Sequence, residues 1–267
     1  MKTAIYDMKN SKAGEKDLPS QFNEAYRPDL IKRSVLALQS AARQAYGTNP
    51  EAGKRSSSDT SKRRRKYRGT YGFGISRVNR KIHSRRGTRM YWVGAFSPQT
   101  VGGRRSHPPK ASKILEQKIN KKENRKAIRS AIAAAMDKEI VLARGHRIPE
   151  NYPFIISSDF EKLAKTKEVE AALVALGFSE EIKRSLIKKV RAGIGKMRGR
   201  KYQTKKGLMV VVSEQCPLMK AAKNLNVDVV IANALNAELL APGAQPGRAT
   251  LWTEKAIDML NEKKLFL

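Results

Sequence analysis

Three histidines and one cysteine are the side chains best suited to acid–base, nucleophilic or metal chemistry, and their spacing speaks against each. His83, His107 and His146 stand far apart, with no cysteine or carboxylate at metal-ligand spacing. His83 and His107 lie in a stretch without Asp or Glu, so no sequence neighbour can orient either ring as a general base. Contact with a phosphate or a base suits them better. Cys216 sits beside an apolar run and reads as a small buried hydrophobe. A single thiol forms no internal disulfide, which fits a reducing compartment. Gly193-Ile194-Gly195-Lys196 matches half of a phosphate-binding loop, but Met197 replaces the Ser or Thr and Val190 the first glycine. It is also not expected between a strand and a helix. Gly72-Phe73-Gly74 lacks the third glycine and the preceding strand of a dinucleotide fingerprint. No catalytic residue, metal or cofactor is expected.

What remains is charge. The chain has 267 residues and a net charge of +31. A field of that sign draws in polyanions. The charge is segregated. Residues 60–115 contain 16 Lys and Arg and no acid, and residues 182–213 contain 11 and no acid. The other 179 residues hold 28 bases against 24 acids, an ordinary balance for a globular domain. A solvated face normally mixes signs, because like charges repel.

The first segment carries Lys62, Arg63, Arg64, Arg65, Lys66, Arg68, Arg77, Arg80, Lys81, Arg85, Arg86, Arg89, Arg104, Arg105 and His107. It interleaves seven glycines and the rings of Tyr67, Tyr71, Phe73, Tyr91, Trp92 and Phe96. That combination suits folded RNA, whose phosphates face in from many directions. Arginine pairs bidentately with phosphate and stacks on bases. Glycine permits close backbone approach, and aromatics stack on splayed bases. The second segment repeats this chemistry in Lys188, Lys189, Arg191, Lys196, Arg198, Arg200, Lys201, Tyr202, Lys205 and Lys206.

The elements that must hold these segments can be read from periodicity. A strand is expected at 3–8, and apolar spacing from Leu30 to Ala42 predicts a helix over 27–44. From Ala45 to Lys110 no period of 3.6 or 2 persists. Such a stretch exceeds an ordinary loop and is expected to order against a partner. Asn120 with Glu123 predicts a helix start, running to Gly145. A strand is expected at 154–157, and helices at 168–176 and 180–192. Strands at 208–213 and 227–232 and helices at 233–240 and 254–263 complete the pattern. Short apolar strands alternating with helices indicate an α/β layered fold with a mainly parallel sheet. Its body is expected to comprise 1–44 and 111–267, with 45–110 inserted. Extended at ~3.3 Å per residue, the insertion would reach at most on the order of 100 Å. No membrane partner is expected. No stretch approaches the roughly 20 apolar residues of a spanning helix, and residues 1–10 contain Asp7 and no apolar core of signal length.

Several pieces then fall in a familiar order: Val101-Gly102-Gly103-Arg104-Arg105-Ser106-His107-Pro108-Pro109-Lys110, Ile119 to Arg125, Ala127 to Ala133, Arg191 to Arg200, Leu239-Leu240-Ala241-Pro242-Gly243 and Pro246-Gly247-Arg248. Nearly end to end, the chain resembles the universal large-subunit ribosomal protein L-four family, in its archaeal and eukaryotic branch. The resemblance implies a globular α/β domain on the large subunit and a long loop inserted through large-subunit ribosomal RNA. It implies early RNA binding in assembly and a cytoplasmic location on the ribosome. It also implies that the loop tip lines the polypeptide exit tunnel beside protein L-twenty-two, where nascent polypeptide passes. By motif the tip corresponds to Gly69, Thr70, Tyr71, Gly72, Phe73, Gly74, Ile75 and Ser76. Two other readings stand beside it: a free RNA chaperone or regulator, and a nucleic-acid-modifying enzyme.

Overall fold

The computed structural model describes residues 2–267. The chain opens with β1 (Lys2–Tyr6), β2 (Lys12–Asp17) and α1 (Pro28–Ala41). The basic stretch holds a hairpin, β3 (Arg80–Arg86) and β4 (Arg89–Gly94). Then come α2 (Lys121–Met136), α3 (Lys138–Ala143), β5 (Ile155–Ile156), α4 (Thr166–Ala175) and α5 (Ser179–Leu186). A second hairpin is next, β6 (Lys188–Val190) and β7 (Tyr202–Thr204). The chain closes with β8 (Met209–Val212), α6 (Leu218–Ala221), β9 (Asp228–Ile231), α7 (Ala237–Leu240), β10 (Thr250–Thr253) and α8 (Glu254–Glu262).

Two compact units result. One is Arg43–Leu115, and the other is the rest of the chain, ending at Ala42 and resuming at Glu116. The larger unit is α/β. Its six-stranded sheet has the order β2-β1-β5-β10-β8-β9. All neighbours are parallel except the β1–β2 edge. That edge strand, Lys-Ala-Gly-Glu-Lys-Asp, is charged, which discourages further pairing.

The sheet is covered on both faces, as parallel sheets require. β8 reads Met-Val-Val-Val with all four residues buried, and it alternates between two cores. Met209 and Val211 meet Ile31, Val35, Ile132 and Trp252 on one face. Val210 and Val212 meet Leu173, Phe178, Leu218 and Leu251 on the other. Trp252 is fully buried, edge-on to Phe22 at 5.0 Å between ring centroids.

Several elements depart from the sequence reading. The helix expected to run to Gly145 breaks at Asp137, whose carboxylate accepts the Glu139 N–H at 2.9 Å and starts a new helix. The helix expected over 180–192 stops at Leu186, and the chain turns into β6. Beyond it no side chain from Leu186 to Val190 reaches the core, and Asn226 Nδ2 caps the Ser185 carbonyl at 2.9 Å. The helix expected over 233–240 is a single turn, α7, begun where Asn236 Oδ1 accepts the Leu239 N–H at 2.8 Å. The stretch expected to lack regular structure contains the β3–β4 hairpin.

Candidate nucleic-acid interface

In Arg43–Leu115, two short loops and the hairpin set out the cations. The first loop closes when Ser61 N–H donates to Arg68 O and Gly69 N–H to Lys66 O, each at 2.9 Å. Lys62, Arg63, Arg64, Arg65, Lys66 and Arg68 all project from it to solvent. The hairpin pairs Arg80 with Gly94 and Arg86 with Arg89 across a turn at Gly87, φ +59°. His83 is the unpaired extra residue of a bulge, which throws it outward. Arg77, Arg85, Arg86, Arg89, Arg105 and His107 are exposed, and Arg80, Lys81 and Arg104 are half-buried. Of the eight residues expected at the tip, Thr70 is buried and turns its side chain inward; Phe73, Ile75 and Ser76 are exposed.

The internal partners of these cations are neutral. Arg80 donates to Ser76 O and Ser76 Oγ, the latter at 2.7 Å. Lys62 Nζ donates to Arg77 O at 2.9 Å and Lys81 Nζ to Ser56 Oγ at 3.1 Å. Arg85 holds the Tyr67 hydroxyl at 3.1 Å. Arg104 lies over the Phe96 ring at 5.4 Å. Among the described residues, no ion pair falls in 43–115. These cations are therefore without an ion-pair partner inside the unit. Asp59 is nearby, but its carboxylate accepts the Ile82 N–H at 2.9 Å.

The motif Val101 to Arg105 has a steric reason. Thr100 N–H donates to Ser97 O and Gly103 N–H to Thr100 O. A Cβ on Gly103 would lie 2.1 Å from Ser97 O, so only glycine fits.

The second basic segment is a ribbon on the α/β unit. β6 pairs with β7 from Lys188–Thr204 to Val190–Tyr202, and Arg191 N–H donates to Lys201 O at 2.9 Å. Lys188, Lys189, Arg191, Lys196, Arg198, Arg200, Lys201, Tyr202, Lys205 and Lys206 are all exposed. Gly193 to Lys196 follows a strand, β6, where the sequence predicts the end of a helix. The chain then makes a single 3-10 turn, Ile194–Arg198, inside the ribbon's loop, so the strand-to-helix geometry of a phosphate-binding loop is still absent.

The ribbon's root is clamped by residues that sequence reasoning missed. Arg184 donates to Lys206 O at 2.8 Å, Asn226 Nδ2 to Lys205 O at 2.9 Å, and Arg248 Nε to Gly207 O at 2.9 Å. Arg248 is fully buried, donating also to Leu239 O and to the Asp228 carboxylate. Behind it, buried Glu181 accepts from Arg184 at 2.6 and 2.8 Å and from Arg147 N–H at 2.9 Å, and pairs with His146 Nδ1 at 2.7 Å. Burial alone would push the Glu181 carboxyl up, but these hydrogen bonds, led by Arg184's, hold it at about 2. Burial lowers the His146 imidazole against the pull of Glu181. The i to i+3 spacing of Glu181 and Arg184 is visible in sequence. The approach of His146 is tertiary.

Parallel α/β sheets usually bind ligands beyond the carboxyl ends of their strands. Here a cavity of about 790 Å³ opens there, beside Glu161, Ser213 and Cys216. Glu161 is buried in its wall, accepting from Ser213 N–H, Ser213 Oγ and Thr253 Oγ1 at 3.0, 2.8 and 2.6 Å. The Ser213 amide and hydroxyl and the Thr253 hydroxyl, at the ends of β8 and β10, are thus taken by the protein's own carboxylate. Among the described residues no cluster of His, Cys, Asp and Glu could hold a metal, and no helix is long and apolar enough to cross a membrane.

Comparison with known proteins adds an independent line. Residues 16–263 match the model of the ribosomal protein L4/L1 family. The chain is 47% identical to the large ribosomal subunit protein uL4 of Nanoarchaeum equitans, covering 100% of both chains. It is 45% identical to the uL4 of Methanococcus aeolicus, over 98% of this chain and 100% of the relative. It is 44% identical to that of Methanocaldococcus jannaschii, over 98% and 99%.

Proposed function

The chain belongs to the ribosomal protein L4/L1 family, which is structural and not enzymatic, and from that premise we propose that it builds the large ribosomal subunit by binding its RNA through two basic ribbons. The observation that carries this reading is the absence, among the described residues, of any ion pair in 43–115, where arginine and lysine are displayed and left for an external polyanion. The unit Arg43–Leu115 enters the large-subunit RNA, and the β6–β7 ribbon makes a second contact. The segment 69–76, Thr70's side chain excepted, lines the exit tunnel near L-twenty-two and meets the nascent polypeptide in passing. RNA binding comes early in assembly, because a threaded element must be in place before the RNA closes around it. The protein's place is the cytoplasmic ribosome.

Sedimentation of a native lysate before and after a high-salt wash tests this. The expected result is one copy per large subunit, retained through the wash. Release by salt, or a main population in light fractions, would favour a free RNA chaperone or regulator.

A further inference from the structure

Within Arg43–Leu115 lies a cleft of about 690 Å³ whose wall combines aromatic rings and cations. The size is that of a small-ligand pocket. Tyr67, Tyr71, Phe73, Tyr91 and Trp92 contribute rings, and Arg63, Arg65, Arg68, Arg80 and Arg89 contribute guanidinium groups. No carboxylate lines it. Phe73 is 71% exposed and Tyr67 61%, an arrangement that leaves apolar ring faces in water.

The backbone and one hydrogen bond set the directions of two of these rings. Gly72 and Gly74 take φ +85° and +68° on either side of Phe73 and turn its ring out. Arg65 and Arg68 take φ +53° and +60° around Tyr67, a left-handed conformation costly for arginine and typical of ligand clamps. The Arg85 bond fixes the Tyr67 hydroxyl. Arg68 lies 5.6 Å from the Tyr67 ring and Arg89 5.4 Å from that of Tyr91, so cation and ring are offered together.

We propose that this cleft receives an unstacked base of single-stranded RNA against its aromatic wall, with the adjoining phosphates on the arginines. The proposal rests on the RNA-binding reading above and gives it a site of one nucleotide, with the Tyr71 and Phe73 rings turned to the RNA of the tunnel wall and the backbone of 72–76 left toward the passing chain. An acidic peptide would satisfy the arginines but has no flat π face for five rings. A nucleotide uses both.

The test exploits tryptophan. The chain has two, Trp92 in the cleft and Trp252, which is fully buried in the other unit. The full-length protein is titrated with an RNA oligoadenylate and with an abasic ribose-phosphate oligomer of the same length and charge. Expected is quenching of emission by oligoadenylate only, lost in Trp92→Phe, with the abasic oligomer binding roughly 5- to 150-fold more weakly. Phe73→Ala should weaken oligoadenylate by a similar factor without changing the salt slope, and Phe73→Trp should restore it. Because Phe73 is exposed, its removal leaves the fold intact. Equal binding of the two oligomers, with Phe73→Ala silent and salt dependence still steep, overturns the pocket and leaves RNA binding standing. Failure to bind even a large-subunit RNA fragment overturns both.

Discussion

The α/β unit and the unit Arg43–Leu115 handle their polar groups in opposite ways. In the first, each buried charge is enclosed: Glu181 by Arg184, His146 and a backbone N–H, Arg248 by the Asp228 carboxylate and two carbonyls, and Glu161 by two hydroxyls and an amide. In the second, only Thr70, Ala95 and Ser97 are buried among the described residues, and the cations meet neutral oxygens or ring faces. A region can thus have defined turns and a hairpin while its charge stays unsatisfied. One unit keeps its electrostatic free energy in the fold. The other holds it in reserve for a partner.

The contrast can be broken most severely with salt. If 6–10 phosphates are contacted, affinity for a large-subunit RNA fragment should fall about 10³–10⁵-fold between 50 and 200 mM salt. A flat response would mean the open cations are not the binding surface. Next in size, Glu181→Ala should cost the α/β unit about 3–5 kcal/mol in urea denaturation, because Arg184 is left buried without its partner. An unchanged midpoint would deny that enclosed charge holds this unit together.

Acid should sharpen the same point. Glu181 has a depressed folded value, so its stabilisation is complete above the ordinary value near 4.5 and is lost as pH falls toward about 2. The loss should be on the order of 3 kcal/mol. His146, also depressed, acts in the same direction, its contribution declining as pH falls below 6.5. Urea midpoints measured from pH 7 to pH 2.5 should show this decline, and Glu181→Gln should flatten its lower part. The smallest effect is expected from Arg63→Gln with Arg64→Gln. Stability of the α/β unit should stay within about 0.5 kcal/mol, while the salt slope for RNA drops by roughly 0.7–0.9 for each phosphate contact removed. Loss of folding in that double variant would tie the two units together energetically.

What sequence could reveal divides along the same line. β8 is buried on both faces, so it appears as an unbroken apolar run, and the helix faces of α1 and α2 show as period 3.6. In the second basic segment, the exposure of the lysines and arginines from Lys188 to Lys206 follows from their charge. The β3–β4 hairpin was hidden because neither face is consistently apolar: Arg80, Lys81, Arg85 and Arg86 fall on both. The short length of α5 was hidden because it depends on Asn226, which caps Ser185 from 41 residues away. The His146–Glu181 pair spans 35 residues and leaves no local pattern.

The clamp at the root of the β6–β7 ribbon has a mechanical consequence. A basic arm on a flexible tether samples many directions, and binding must freeze them out. Here three donors, from Arg184, Asn226 and Arg248, grip consecutive carbonyls at Lys206, Lys205 and Gly207. The ribbon is therefore a cantilever, bolted to the sheet at one end, and load applied to its tip passes through the buried Arg248 into β9 and the end of α7.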